Sequence, residues 1–146
     1  MKNSIFSFKL TPSNPAAKLG FEVWINEQCM FETDHVNESI EITGDLPADN
    51  IEAEHTLRLI LKNKQPEHTQ VDESGNIVAD SLLEITELTF DEVALGQIVN
   101  DLTVYNHDFN GSQAPIQEQF FGTMGCNGSV ELKFTTPIYL WLLENM

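Results

Sequence analysis

Two stretches decide the fold: Ser129-Val-Glu-Leu-Lys-Phe134 and Thr56-Leu-Arg-Leu-Ile-Leu61. Apolar residues occupy every second position of the first stretch, and leucine occupies every second position of the second. Because successive side chains of a β-strand point to opposite faces, a period of two predicts a strand with one buried face. Both stretches are therefore predicted to be β-strands.

The same alternation recurs along the rest of the chain. Asn26–Glu27 has the character of a tight turn, so the strands on either side of it are predicted to form a hairpin. The further predicted strands contain Phe6/Phe8/Leu10, Phe21/Val23/Ile25, Cys29/Met30/Phe31, Ile40/Ile42 and Leu83/Ile85. Many short strands separated by Gly, Pro, Asn and Asp favour one antiparallel β-sandwich of jelly-roll type, an all-β domain spanning residues 1–146.

Helical periodicity is weak. Val93, Ile98 and Leu102 could share a helix face, but Gly96 interrupts the pattern. Residues 138–144 fit a buried strand or a short helix. Six apolar-bodied residues follow one another at 138–143, so the C-terminal segment from Thr136 is predicted to be buried in the core, against another subunit, or both. A homo-oligomer is accordingly one expectation.

The charge is strongly acidic. Lys and Arg number 7 and Asp and Glu 23, which gives a formal net charge of −16 in 146 residues. The stretch between Lys64 and Lys133 holds twelve acidic residues and no Lys or Arg. A polyanion would be repelled by this field, so we expect no nucleic-acid partner. No run of about 18 apolar residues is present, so no membrane insertion is expected, and no secretory leader is recognisable.

The two cysteines, Cys29 and Cys126, lie 97 positions apart. A disulfide between them and two free buried thiols are both compatible with the sequence, whereas a zinc site would need closer spacing or a nearby histidine. No nucleophile, P-loop or metalloprotease motif occurs. The chain is therefore predicted not to be an enzyme, with an uncharacterised hydrolase as a minor alternative.

Aromatic side chains raise the question of sugar binding, because a flat ring can stack on a pyranose. Trp24 falls on the polar face of its strand, and Tyr105 precedes a long polar segment. Both are candidate glycan-binding residues, with a structural role as the alternative for Trp24. Trp141 lies inside the apolar C-terminal run and fits the core or a subunit contact.

Residues 72–80, Asp-Glu-Ser-Gly-Asn-Ile-Val-Ala-Asp, are rich in hard oxygen donors. Calcium takes about 6–8 such ligands from flexible loops. Glycine occupies the fourth position of this segment rather than the sixth, so it is not an EF-hand. The alternative is a polar hairpin turn in which Gly75 or Asn76 adopts a positive φ.

Several segments together resemble a recurrent family of small acidic virion proteins in tailed phages, especially large contractile-tailed phages of marine bacteria. The resemblance covers about the last two-thirds of the chain. It rests on His55-Thr-Leu57 through Lys64, His68-Thr69, residues 72–80, Leu83–Leu88 with Asp91, residues 120–128, and residues 136–144. It implies a β-sandwich and a virion location, with assembly in the bacterial host cytoplasm.

The middle of the chain is also similar in pattern to calcium-dependent xylan-binding modules, which are β-sandwiches. In those modules an Asp-bearing loop precedes a strand that resembles Leu83 to Asp91. This resemblance implies Asp72, Asn76 and Asp80 as candidate calcium ligands. Ca²⁺ is the only cofactor that it implies.

Two functional hypotheses follow. The first is a non-enzymatic phage structural protein, on the tail, baseplate or fibre or decorating the head, that contacts other virion proteins and contributes to adhesion to a host-surface glycan. The alternative is a free-standing calcium-dependent carbohydrate-binding module.

Overall fold

The chain folds as a sandwich of two antiparallel β-sheets in a computed structural model that describes residues 4–48, 50–64, 69–107, 116–120, 122–125 and 127–145. The strands are Ile5–Pro12 (β1), Gly20–Ile25 (β2), Gln28–Thr33 (β3), Ile40–Asp45 (β4), Ala53–Lys62 (β5), Thr69–Val71 (β6), Ile77–Asp80 (β7), Leu83–Phe90 (β8), Val93–Ala94 (β9), Thr103–His107 (β10), Ile116–Gln119 (β11), Thr123–Met124 (β12) and Gly128–Thr136 (β13). The helices are Gln97–Leu102 (α1) and Ile138–Asn145 (α2). The predicted all-β, antiparallel sandwich is confirmed.

The larger sheet has the strand order β11-β10-β13-β5-β2-β3, and the smaller has β12-β8-β1-β4 with β9 added beside β8. The two stretches that decide the fold lie next to each other at the centre of the larger sheet, where Leu57 is opposite Leu132 and Leu59 is opposite Val130. The small hairpin of β6 and β7 is separate from both sheets.

The period-two pattern supplies the core. The inward side chains of β1, β2, β5 and β13 are almost completely buried: Phe6, Phe8, Leu10, Phe21, Val23, Ile25, Leu57, Leu59, Leu61, Val130, Leu132 and Phe134. The predicted hairpin is also present, since β2 and β3 pair across a turn in which Asn26 has a φ of 54°. Asparagine tolerates this left-handed conformation better than most residues.

The two segments without a clear strand pattern, residues 90–102 and 138–144, each contain a helix. The weak helical pattern of residues 90–102 corresponds to one short helix, α1, because Gly96 with a φ of 53° precedes it and Val93 belongs to β9. Residues 138–145 are a helix and not a strand. Within the described residues no helix is long and apolar enough to cross a membrane.

The expected burial of the C-terminal run is met by half of its residues. Ile138, Trp141 and Leu142 are buried, but Tyr139, Leu140 and Leu143 are 52%, 55% and 74% exposed. A helix turns through about 3.6 residues, so one stripe of an unbroken apolar run faces the core and the rest faces outward. Cover of the outer stripe by another subunit stays a prediction.

Candidate functional site

The outer face of the larger sheet carries the most promising arrangement of side chains. The pairing register places Trp24 of β2 beside Arg58 of β5, and Arg58 beside Glu131 of β13. Because neighbouring residues across a sheet point to the same side, these three side chains form one row on the solvent face. Val104 of β10 continues the row beyond Glu131.

Trp24 is held in a defined orientation. Its indole Nε1 donates a hydrogen bond of 2.7 Å to Oε1 of Glu22, two residues earlier on the same face. Lys62 contacts the other carboxylate oxygen of Glu22 at 3.0 Å. The hydrogen bond from Trp24, and then the one from Lys62, keep the pKa of the Glu22 carboxyl below its ordinary value. The half-buried indole thus stands on the sheet with its polar edge already satisfied.

A cleft of about 530 Å³ opens on the same face, and we call it the outer-face cleft. The residues that line it are Arg58, Ile60, Leu61, Lys62, Asn63, Asn106, Asn127, Gly128, Ser129 and Glu131. Arg58 and Glu131 form an ion pair at 3.1 Å along one side. The lining combines amides, a hydroxyl and a guanidinium–carboxylate pair, which are the groups that bind the hydroxyls of a polar ligand.

The end of the outer-face cleft that Asn63 and Asn127 line is built by residues distant in sequence. The backbone N–H of Lys64 donates to Oδ1 of Asn127 at 2.9 Å, and Nδ2 of Asn127 donates back to the carbonyl oxygen of Lys64 at 3.0 Å. These two bonds fix the position of the Asn127 side chain. Asn63, with a φ of 69°, lies immediately before this junction and also lines the cleft.

The predicted calcium ligands do not converge. Asp72 caps the β6–β7 turn, where its Oδ1 accepts hydrogen bonds from the backbone N–H groups of Ser74 and Asn76 at 2.9 and 3.0 Å. Gly75 has a φ of 85°, as the hairpin-turn interpretation predicts. Asp80 lies at the far end of β7, roughly 13 Å from Asn76 at the rise of about 3.3 Å per strand residue.

Asp80 is also neutralised by a base. Its Oδ1 is 2.7 Å from Nζ of Lys64. In the sequence Asp80 has no Lys or Arg near it, because none lies between Lys64 and Lys133. No group of three or more His, Cys, Asp or Glu side chains within the described ranges could hold a metal ion. The oxygen donors of Asp72, Asn76 and Asp80 therefore do not fit one calcium ion.

The two aromatic candidates lie in different environments. Trp24 is on the outer face, as predicted, next to Arg58, which lines the outer-face cleft. Tyr105 is only 3% exposed, and its ring packs edge-on against Phe120 with centroids 6.1 Å apart. The sequence prediction of Tyr105 as a sugar-stacking residue is therefore corrected: it lies on the inward side of β10 and contributes to the core.

Cys29 is an exposed free thiol on β3, so the expectation that it is buried is wrong. The reason is that the strand pairing shifts register between Val23 and Trp24, and β3 is the edge strand of the sheet. Cys126 and residues 108–115 lie outside the described residues.

Sequence reasoning missed most of the cleft. Arg58 and Glu131 carried a usable signal, because each occupies an outward position of a strand that was predicted correctly. Asn127, Asn63 and Lys64 carried none, since their roles depend on a contact that spans 63 residues between Lys64 and Asn127.

Comparison with known proteins gives a structural match only. No family model and no curated protein matches the chain. The selenomethionine form of vCBM60, from work that links two families of calcium-dependent carbohydrate-binding modules by circular permutation, has a TM-score of 0.56 at 7% identity, covering 88% of this chain and 89% of that one. A complex of vCBM60 with galactobiose has a TM-score of 0.54 at 11% identity, covering 89% and 97%. The likeness establishes a β-sandwich of the carbohydrate-binding-module type.

Proposed function

We propose that this chain is a non-catalytic glycan-binding protein and that the outer-face cleft with Trp24 is its sugar site. We further propose that it serves as a structural protein of a phage virion, where the cleft contributes to adhesion to the host surface. The virion location is supported by the sequence resemblance to small acidic phage proteins.

The observation that carries the glycan proposal is the row of Trp24, Arg58 and Glu131 beside an open polar cleft. A sugar ring offers an apolar C–H face and several hydroxyls. An oriented indole can cover the C–H face, while the amides of Asn106 and Asn127 can each donate to and accept from neighbouring hydroxyls. The structural likeness to vCBM60, whose complex contains galactobiose, supports the same ligand class.

The charge narrows the class of sugar. With a net charge of −16, the protein repels polyanions, so a neutral glycan suits the cleft better than an acidic one. Hydrolysis of a glycosidic bond generally needs two carboxyl groups on opposite sides of the bond. Glu131 is the one carboxylate among the described residues that line the cleft, and it is paired with Arg58, which favours binding without catalysis.

A glycan array with the purified chain tests the sugar site. We expect binding to neutral oligosaccharides that is weakened about tenfold or more by Trp24→Ala and by Arg58→Ala. A charged hydrogen bond contributes about 1.5–3 kcal/mol, and we take the stacking of a sugar on an indole to be of the same order as the stacking of a nucleic-acid base on an aromatic side chain, about 1–3 kcal/mol. Tyr139→Ala is the matched control, since it removes an exposed aromatic ring at α2, away from the cleft. Equal binding by all three variants would refute the assignment.

The virion location requires its own test. An antibody against the chain should label purified phage particles, and mass spectrometry of those particles should detect the chain in a fixed ratio to the major capsid protein. Its absence from purified particles would leave the alternative, a free-standing carbohydrate-binding module. The sequence resemblance implies that such a module depends on calcium. Glycan binding that EDTA abolishes would therefore favour this alternative.

A further inference from the structure

Lys64 is buried to an extent unusual for a lysine. Its side chain is 5% exposed, and it is the one charged residue that is buried among those whose burial the structure describes. Nζ donates to Oδ1 of Asp80 at 2.7 Å and also to the carbonyl oxygen of Gly125. Burial of an ammonium group is unfavourable unless oxygen acceptors replace its water, and here a carboxylate and a carbonyl do so.

The ammonium group joins three separate parts of the chain. Lys64 follows the end of β5, Asp80 ends β7, and Gly125 lies between β12 and β13. A cation bound by carboxylate and carbonyl oxygens from separate segments is also how a structural calcium ion links loops. Lys64 therefore provides, as part of the chain, the positive charge that a bound metal ion would provide from solution.

The same residue reaches the outer-face cleft through its backbone. Its N–H and C=O groups hold the side chain of Asn127, and both Asn63 and Asn127 line the cleft. The contacts of the Lys64 ammonium group fix the position of Lys64, and the Lys64 backbone in turn fixes Asn127 at one end of the cleft. The contact depends on Asp80, whose Oδ1 also accepts a hydrogen bond from the backbone N–H of Ser81 at 2.9 Å.

We infer that the ammonium group of Lys64 is a built-in cation that pre-organises the outer-face cleft, so that the cleft binds sugar without calcium. The inference rests on the proposed function, because it names a positioning residue of that same site. It separates this chain from the structural neighbours, which are described as calcium-dependent. Lys64 does not touch the sugar; it acts through Asn127 and Asn63.

The test compares Lys64→Met with Lys133→Met. Both variants lose one positive charge, but Lys133 is exposed on β13. Glycan affinity and the melting temperature are measured in about 10 mM CaCl₂ and in about 10 mM EDTA, because calcium sites of extracellular modules have dissociation constants of about 10⁻⁴–10⁻³ M. We expect the wild type and Lys133→Met to have the same values in both buffers.

Lys64→Met should lower the melting temperature by at least about 5 °C and weaken glycan binding about tenfold, with no recovery in calcium, because Asn127 at the end of the cleft loses the contact that positions it. Asp80→Asn should weaken binding in the same direction while keeping the hydrogen-bonding shape. The inference is overturned if EDTA weakens wild-type binding tenfold, or if Lys64→Met behaves like Lys133→Met.

A measurement on the wild type covers the case in which Lys64→Met fails to fold. The ¹⁵N NMR signal of a buried, hydrogen-bonded lysine ammonium is visible because its protons exchange slowly with water. We expect one such signal for Lys64 and no change in it on adding EDTA or calcium. A missing or calcium-sensitive signal would overturn the inference. If no glycan binds the wild type, the proposed function fails, while the melting and NMR results still decide whether Lys64 is an internal cation.

Discussion

The two ends of the central β5–β13 pair are completed in opposite ways. At the end where Thr136 is paired with Ala53, the chain continues into α2 and packs apolar side chains. At the end where Gly128 is paired with Leu61, it is completed by the polar junction of Lys64, Asp80 and Asn127. The first end relies on non-directional burial, and the second relies on directed hydrogen bonds.

This difference separates what each end can do. Apolar burial tolerates spare apolar surface, and the α2 end leaves Ile51, Tyr139, Leu140 and Leu143 exposed. Directed bonds fix individual polar groups in space, which is what recognition of a sugar requires. We therefore propose that the α2 end contributes stability and assembly and that the Lys64 end binds the ligand.

Removal of α2 should have the largest effect. A chain that ends at Pro137 loses the buried side chains of Ile138, Trp141 and Leu142, each worth about 1.5–3 kcal/mol. The total is comparable to the whole stability of a domain of this size, about 5–15 kcal/mol. We expect insoluble or unfolded protein, measured by soluble yield and circular dichroism. A chain shortened by residues 145 and 146 only is the control, and a folded Pro137-terminated chain would contradict the assignment of stability to α2.

At the opposite end, Asn127→Ala should have a moderate effect on stability and a clear one on binding. It removes both hydrogen bonds with the Lys64 backbone, for a loss of about 1–3 kcal/mol. Chemical denaturation and glycan titration measure the two consequences, with exposed Asn50→Ala as the control. If Asn127→Ala is destabilised but its sugar affinity is unchanged, the polar junction does not contribute to sugar binding in the cleft.

The α2 end should also respond to pH through His55. Its ring lies 5.5 Å from that of Phe134, centroid to centroid, and its nitrogens contact the Asn26 amide and the Thr136 hydroxyl at 3.0 and 3.2 Å. Burial lowers the pKa of His55 below its ordinary value. The folded state therefore favours the neutral ring more than the unfolded state does.

It follows that the stability linked to His55 is present above the unfolded-state pKa of 6.5 and is lost as the pH falls through the lower folded-state value. NMR titration of the His55 ring should give a midpoint below 6.5. The melting temperature should fall on acidification from about pH 7.5 to 5.5, where most carboxylates remain ionised, and should fall less in His55→Gln. A midpoint above the ordinary value would show that the ring is not desolvated.

The smallest effect on stability should come from the exposed stripe of α2. Leu140→Ser combined with Leu143→Ser should change the free energy of unfolding by no more than about 1 kcal/mol, because both side chains are exposed and one exposed substitution usually changes it by about 0.5 kcal/mol or less. If the stripe is the subunit contact that the sequence predicts, the wild type sediments as a concentration-dependent oligomer and the double variant as a monomer. Leu142→Ser, on the buried side, is the control that should destabilise the fold. A wild type that is monomeric at every concentration would show that the predicted subunit contact does not form.

The sequence predicted the strands well because their signal is local. Alternation identifies the inward faces of β1, β2, β5 and β13, and it also placed Trp24 outward. It failed for Tyr105, where the polar neighbourhood suggested exposure although β10 turns that ring inward against Phe120. The unbroken apolar run at 138–143 also predicted burial of the whole segment. The segment forms a helix instead, and half of these residues are exposed.

The site depended on contacts that no local pattern contains. From the sequence, Asp72, Asn76 and Asp80 form one acidic segment without a balancing base. In the folded chain a hairpin spreads them along its length, and Lys64 reaches Asp80.

By itself, then, the sequence determined an acidic β-sandwich with the correct central strands, because the period of two and the net charge are properties of the chain alone. Only the tertiary structure decided which polar residues meet. The register of β5 with β13 aligned Arg58 with Glu131, and the closing of three segments around one ammonium group buried Lys64. Long-range register and the desolvation of a charge are set by the whole fold, and no short stretch of residues encodes them.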